Sequence, residues 1–211
     1  SNLMIINKLK YLIIFIFIFT YITKSHSLEP NIFVQSTVNR ASQILSDNIS
    51  KESKIEELKK VAIDTVDIRG IGFYTLGKFR KNLSDEQKQK YSELFKEYFL
   101  KSFSSRLAEY SNPKIDVQSQ EKLSDTYTIV SSILVATSER PEVKIQWRVY
   151  TKNPEKPLIR DLIIEGLSLA RTQKEEFSSI LSSFIFSRVI NKPSASGRAL
   201  RTRLRKSSPT S

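Results

Sequence analysis

Asp161 and Glu165 are the nearest thing to a reacting pair in this chain. They lie four residues apart in the run DLIIE. On a strand that spacing puts both on one side, and paired carboxylates can do acid/base work. The ordinary alternative is that both pair with nearby basic residues such as Arg148 or Arg160 on a sheet surface. Trp147, with tyrosines close by, offers a ring for stacking, although such an aromatic is more often core. Little else invites catalysis. The chain has no cysteine and a single histidine, His26. That histidine falls in a segment expected to be removed, so the mature chain offers no Ser-His-Asp triad, Cys-His pair or histidine-ligated metal. No Gly-rich phosphate loop and no dinucleotide fingerprint is present.

The elements that must position these residues read as helices first and strands afterwards. Asn31 to Asp47 predicts a first helix, with Pro30 suited to its first turn. Ser50 to Val66 predicts a second. Asp67 then caps a third, IRGIGFYTLGKFRKNL, which holds Gly70, Gly72 and Gly77. Glycine weakens a helix by about 1 kcal/mol against alanine. Close approach of a backbone or a ligand would offset that; the other reading is a broken helix. The longest stretch is Ser84 to Tyr110. Its apolar residues recur at three and four: Tyr91, Leu94, Phe95, Tyr98, Phe99, Phe103, Leu107 and Tyr110. Ser84 with Gln87 forms a capping box, Asp85 and Glu86 suit the first turn, and Asn112-Pro113 ends it. A helix face so rich in rings needs a large apolar partner, either a sheet or a sheet with a greasy ligand between.

After Pro113 the period changes to two. Lys114–Glu121 and a long Asp125–Thr137 predict strands. Val143, Ile145, Trp147 and Val149 alternate with Lys144, Gln146, Arg148 and Tyr150 as a half-buried third. Leu158–Glu165 is a fourth, broken by Gly166-Leu167-Ser168, and Thr172–Phe186 is a last helix. Short turns between consecutive strands favour an antiparallel meander. The fold class expected is α+β, with helices packed on one face of a curved four-stranded antiparallel sheet.

Both ends have a different composition. Lys8 and Lys10 precede a twelve-residue apolar run, Tyr11 to Ile22, and Ser25-His26-Ser27 offers small residues at a cleavage site. The run is short for a membrane span, which needs about 20 residues. Residues 4–27 therefore predict a secretory signal, 28–190 a folded domain and 191–211 a disordered basic tail. Net charge is +12, but Lys8, Lys10, Lys24, Arg198, Arg201, Arg203, Arg205 and Lys206 account for eight of those charges, leaving +4 for the rest. Such a distribution argues against a nucleic-acid partner. An exported chain without the usual catalytic side chains, rich in apolar residues facing a curved sheet, suggests a carrier of something greasy.

The run IGFYTLGKFRKNLSDEQKQKYSELFKEYFLKSFSSRLAEYS, followed by VKIQWRVY and DLIIEGLSLARTQKEEFSSIL, resembles the MlaC family of periplasmic phospholipid-binding proteins. The likeness rests on the Leu76-Gly77 helix end, the Ser84-Asp85-Glu86-Gln87 helix start and the Phe95 to Tyr110 helix. It continues through Asp161 and Glu165-Gly166-Leu167-Ser168 into Phe177 and Ile180-Leu181. It covers about Pro30 to Leu181. The chain departs from it after Phe186, where the family usually adds a further helix. The resemblance implies an NTF2-like curved sheet with an apolar cavity for acyl chains. It implies a phospholipid as bound ligand with no other cofactor. It also implies shuttling between an inner-membrane ABC transporter complex and an outer-membrane lipoprotein–porin complex, which would maintain outer-membrane lipid asymmetry.

For such a cavity the strand pattern nominates Val143, Ile145, Trp147 and Val149 as one wall. Cross-strand pairing would add Ile129, Ile133 and Val135, with Leu162 and Ile164. Leu76, Phe95, Phe99 and Phe103 would face them. Two other readings stay open: an exported scaffold module with a closed core, and an enzyme using Asp161 and Glu165. N-terminal sequencing of the exported chain is expected to start within a few residues of Leu28. Full-length chain recovered from the membrane fraction would instead mark an uncleaved anchor.

Overall fold

The computed structural model describes residues 26–191. The apolar signal run and the basic tail from residue 192 lie outside those residues. Among the described residues four α-helices precede a five-stranded sheet and a fifth helix follows it, the expected order with one strand added. Helix α1 spans Pro30–Ser46, α2 Lys51–Thr65 and α3 Ile68–Leu76, which passes into a 3-10 turn, Gly77–Asn82. Helix α4 spans Asp85–Leu107. The strands are β1 Ile115–Ser124, β2 Tyr127–Leu134, β3 Val143–Tyr150, β4 Leu158–Ile164 and β5 Leu167–Ser168, and α5 is Leu169–Asn191. The sheet is an antiparallel meander in the order β1-β2-β3-β4-β5.

The local signals explain most helix ends. The Ser84 hydroxyl accepts from the Gln87 N–H at 3.1 Å, and the Gln87 side chain accepts from the Ser84 N–H at 2.9 Å. That reciprocal pair satisfies two of the donors a helix start leaves open. Ser50 caps α2 through the Ser53 N–H. The glycines of the third helix separate by role. Gly77 has φ +52°, a left-handed conformation that a side chain resists, and it breaks the predicted long helix into α3 and the 3-10 turn. At Gly72 a Cβ would lie 2.8 Å from the Phe95 ring, so its absence lets α4 approach α3 closely.

The sheet corrects three expectations. The thirteen-residue second strand is eight residues, because Asp125 and Thr126 form the turn of a hairpin with β1. The fourth strand does not simply break. Glu165 and Gly166 both take positive φ, 49° and 82°, and form a two-residue turn into β5, so the sheet has five strands rather than four. The last helix begins at Leu169, three residues before the expected start, and is described as far as Asn191.

Helix α3 and the sheet meet at one place. Val66 bridges Ile159 in parallel, and the Asp67 N–H donates to the Ile159 carbonyl at 2.9 Å. The Asp67 carboxylate then does two jobs. It caps α3 through the Gly70 N–H at 2.9 Å and accepts from Arg160 Nε at 2.7 Å. Arg160 also donates to the Tyr127 hydroxyl and lies 3.7 Å from the Tyr150 ring centroid. Burial works against the Arg160 charge, but the hydrogen bonds to Asp67 and Tyr127 outweigh it and raise the guanidinium pKa. Replacing Asp67→Ala should cost about 2 kcal/mol, from the lost cap and the half-buried guanidinium left short of a partner. Urea unfolding of the variant checks this, and a shift under a few tenths of that would refute the anchor.

Candidate functional site

The sheet has one covered face and one open face, and the pairing register decides which residue belongs to which. Across the covered face run rows of partners. Leu134 pairs with Val143. Ser132 pairs with Ile145 and then Ile164. Val130 pairs with Trp147 and then Leu162, and Thr128 pairs with Val149 and then Ile159. Helix α1 lays Phe33, Val34 and Val38 against this face, and the shared cluster includes Val130, Leu134, Ile145, Trp147, Val149 and Ile159. The third-strand wall expected from sequence therefore faces inward, with Leu162 and Ile164 beside it.

Ile129 and Ile133 do not join it. They pair with Arg148 and Lys144 on the open face. The reason is that β2 turns Thr128, Val130, Ser132 and Leu134 inward, all buried, so two of its four inward residues are polar. Hydropathy alone favours the isoleucines. Val135 lies beyond the end of β2, where its N–H donates to the Lys114 carbonyl, off the β2–β3 ladder.

What keeps the inward serine from being a liability is Trp147. Trp147 Nε1 donates to Ser132 Oγ at 2.8 Å, and Ser132 Oγ donates to the Ile145 carbonyl at 2.8 Å. A buried indole N–H needs such a partner, and the serine supplies it. Sequence reasoning missed Ser132; the signal available was Trp147 itself, an inward ring with a donor to satisfy.

Opposite the sheet, the aromatic stripe of α4 divides. Phe95 is closed inside a separate cluster with Ala62, Ile68, Ile71 and Leu100, and does not face the sheet wall as expected. Its ring meets the edge of Phe177 from α5 at 6.1 Å and 87°. Leu76 is buried on α3, 1% exposed. Phe99 packs on the edge of the helix cluster and stacks on Phe103 at 5.3 Å and 14°. Phe103 and Leu107 are half-buried and part of neither cluster. Leu94, Tyr98 and Tyr110 of the same stripe are exposed. Among the described residues Val66 alone packs against both clusters.

Several apolar side chains at the margins of the two clusters remain only half-buried: Val143, Leu162 and Ile164 on the inner face of the sheet, and Phe99, Phe103 and Leu107 on α4. Inward residues of a closed core would be covered. Two surface hollows lie elsewhere. One, about 370 Å³, sits on the open sheet face by Ile133, Lys144, Gln146, Ile163 and Glu165. The other, about 390 Å³, lies by Tyr74, Arg171 and Lys174.

The carboxylate pair is not assembled. Asp161 accepts from the Ser168 hydroxyl and, at 3.0 Å, from the Ala170 N–H, which caps the start of α5. Glu165 lies in the β4–β5 turn, where its Oε1 accepts from the Lys144 N–H at 2.6 Å. Arg160 pairs with Asp67 rather than with either. Among the described residues no group of three or more metal-ligating side chains occurs.

Residues 35–192 match the family model described as MlaC protein. The chain belongs to the MlaC family. A Haemophilus influenzae protein described as the intermembrane phospholipid transport system binding protein MlaC is 26% identical over 153 residues, covering 67% of this chain and 71% of that protein. The fold is similar to that of a phospholipid-binding protein from Ralstonia solanacearum, solved in complex with a phospholipid. That likeness has a TM-score of 0.63 at 20% identity, over 74% of this chain and 89% of that one. The MlaC family is one of non-enzymatic, periplasmic lipid-binding transport proteins. Ser132→Ala should leave the Trp147 N–H buried and unpaired and cost about 1–3 kcal/mol. Trp147 is the one tryptophan of the chain, so its fluorescence during urea unfolding reads the change directly. An unaltered midpoint would show that the hydroxyl is dispensable.

Proposed function

We propose that this MlaC-family chain is a periplasmic phospholipid carrier whose acyl chains lie between the inner face of the sheet and α4. The observation that carries the reading is the half-buried apolar set, Val143, Leu162 and Ile164 on the inner face of the sheet and Phe99 and Phe103 on α4. These residues face inward by register and stacking yet keep accessible surface. The Haemophilus relative, by its description, serves phospholipid transport, and the Ralstonia relative was solved holding a phospholipid. The carrier passes its lipid between an inner-membrane ABC transporter complex and an outer-membrane lipoprotein–porin complex, which maintains outer-membrane lipid asymmetry.

The energetics set what such a site must do. A two-chain phospholipid has about 30 methylenes, and at about 0.8 kcal/mol each their exposure costs on the order of 20–25 kcal/mol. A soluble carrier replaces nearly all of that burial with apolar side chains. Val149, Val130 and Val34 are fully buried and serve as the floor that holds the sheet to α1. The lipid-contacting residues are the accessible ones above that floor.

Two glutamate substitutions separate a cavity from a core. Ile145 lies in the closed cluster, 8% exposed. Ile145→Glu should unfold the chain, because a charge without a partner there costs several kcal/mol. Phe103→Glu should leave it folded, since Phe103 is in neither cluster. It should lower phospholipid content about a hundredfold, from a charge placed among acyl chains at about 3 kcal/mol. Circular dichroism with mass spectrometry of the lipid extract reads both. A folded Phe103→Glu chain with its phospholipid intact, or a wild-type chain that carries none, sinks the proposal.

A further inference from the structure

The β2–β3 turn carries a half-buried arginine, Arg140, one of whose nitrogens is buried without a partner. The turn is tied by its own backbone. Thr137 Oγ1 accepts from the N–H groups of Glu139 and Arg140 at 3.3 and 3.2 Å, and the Thr137 N–H donates to the Arg140 carbonyl at 2.9 Å. These bonds fix where the Arg140 side chain starts. Its guanidinium carbon lies 5.9 Å from the ring centroid of Tyr110, three residues past the end of α4. Its Nη1 is buried and has no hydrogen-bond partner.

A guanidinium keeps its charge at any physiological pH and presents five donors. Burying one of them unpaired costs the desolvation of that donor with nothing returned. Arg160 shows how the same fold treats a structural arginine: it has a carboxylate, a phenol and a ring. Arg140 has only the face of Tyr110. An unpaired charged donor of this kind suits a ligand anion.

Its place in the fold says which anion. Leu134 and Val143, the inner-face residues that flank the turn, begin the apolar wall. Phe103 and Leu107 of α4 lead to Tyr110 on the other side. Arg140 and Tyr110 therefore meet where the β2–β3 end of the inner face comes near the end of α4. Glu139 and Glu142 flank Arg140 in sequence, and both are exposed. They repel a free anion, so an anion held there needs other attachment.

We propose that Arg140 Nη1 donates to the phosphodiester of a phospholipid whose acyl chains occupy the space beside α4, with Tyr110 closing the same end. This rests on the carrier reading, and the experiment keeps the two apart. The full mature chain and its Arg140→Gln and Arg140→Lys variants are incubated with vesicles doped with dioleoyl phosphatidylglycerol or with dioleoylglycerol, which has the same chains and no phosphate. Bound lipid is counted by native mass spectrometry and folding is followed by circular dichroism. Arg140→Gln should hold roughly tenfold less phosphatidylglycerol with unchanged dioleoylglycerol, and Arg140→Lys should recover part of the loss. Equal loss of both lipids, or loss of neither, overturns the Arg140 assignment. If Arg140→Gln does not fold, the comparison of the two lipids on Arg140→Lys decides. Wild-type chain that takes up neither lipid overturns the carrier reading instead. A thermal shift of the wild type by inorganic phosphate that Arg140→Gln lacks would mark a site for the free ion and refute the lipid assignment.

Discussion

The helical layer is tied to the sheet through two consecutive residues of β4. Arg160 reaches Asp67 at 2.7 Å and so holds the start of α3. Asp161 accepts from Ser168 and Ala170 and so holds the start of α5. The backbone adds the Val66–Ile159 bridge between the same segments. An ion pair on an open surface contributes little, but this one is half-buried and shares its carboxylate with a helix cap, so losing either partner disturbs two elements. Two of the helices that α4 packs on, α3 and α5, are placed this way.

That anchoring explains why the core divides. Helix α1 packs directly on the inner face of the sheet, and α4 packs on α2, α3 and α5 around Phe95. Gly72 lets the Phe95 ring come in closely, which draws the first half of α4 toward the helices. Farther along α4, Phe99 at the margin of that cluster stacks on Phe103, which belongs to neither cluster. An apolar lining without full burial costs stability in the empty protein. It is the expected compromise for a fold that must take up and give back an apolar ligand.

Polar groups on the inner side follow the same division. Where the core is closed, they are satisfied: the Ser132 hydroxyl lies between Trp147 and the Ile145 carbonyl, and Thr37 and Thr65 return their hydroxyls to their own helices. The Thr75 hydroxyl bonds the Gly72 carbonyl and the Tyr91 phenol, and burial pushes that phenol's pKa up. Among the described residues the unpaired buried side-chain atoms are Ser104 Oγ, on the second half of α4, and Arg140 Nη1, at the turn near the end of that helix. Both fall on the side of the molecule where α4 leaves the helix cluster.

The sequence by itself determined the elements and the chemistry that is missing. The Ser84–Gln87 capping box, the Asp67 cap and the alternation of β3 are set by residues two to four positions apart, and all three stand in the structure. The lack of cysteine and of histidine beyond His26 excluded whole reaction classes before any coordinate. Tertiary structure decided which faces meet. A register fixes a strand's inner side, and a shift by one residue exchanges the two sides. Thr128 and Ser132 could turn inward, and Ile129 and Ile133 outward, because a tryptophan fifteen residues away supplied a partner for Ser132. The same holds for Phe95 and Phe103. They lie two turns apart on one stripe, but Phe95 meets Gly72 and Phe177 while Phe103 stacks on Phe99. Periodicity names the side of a helix; the neighbours that come to it from other parts of the chain determine what that side does.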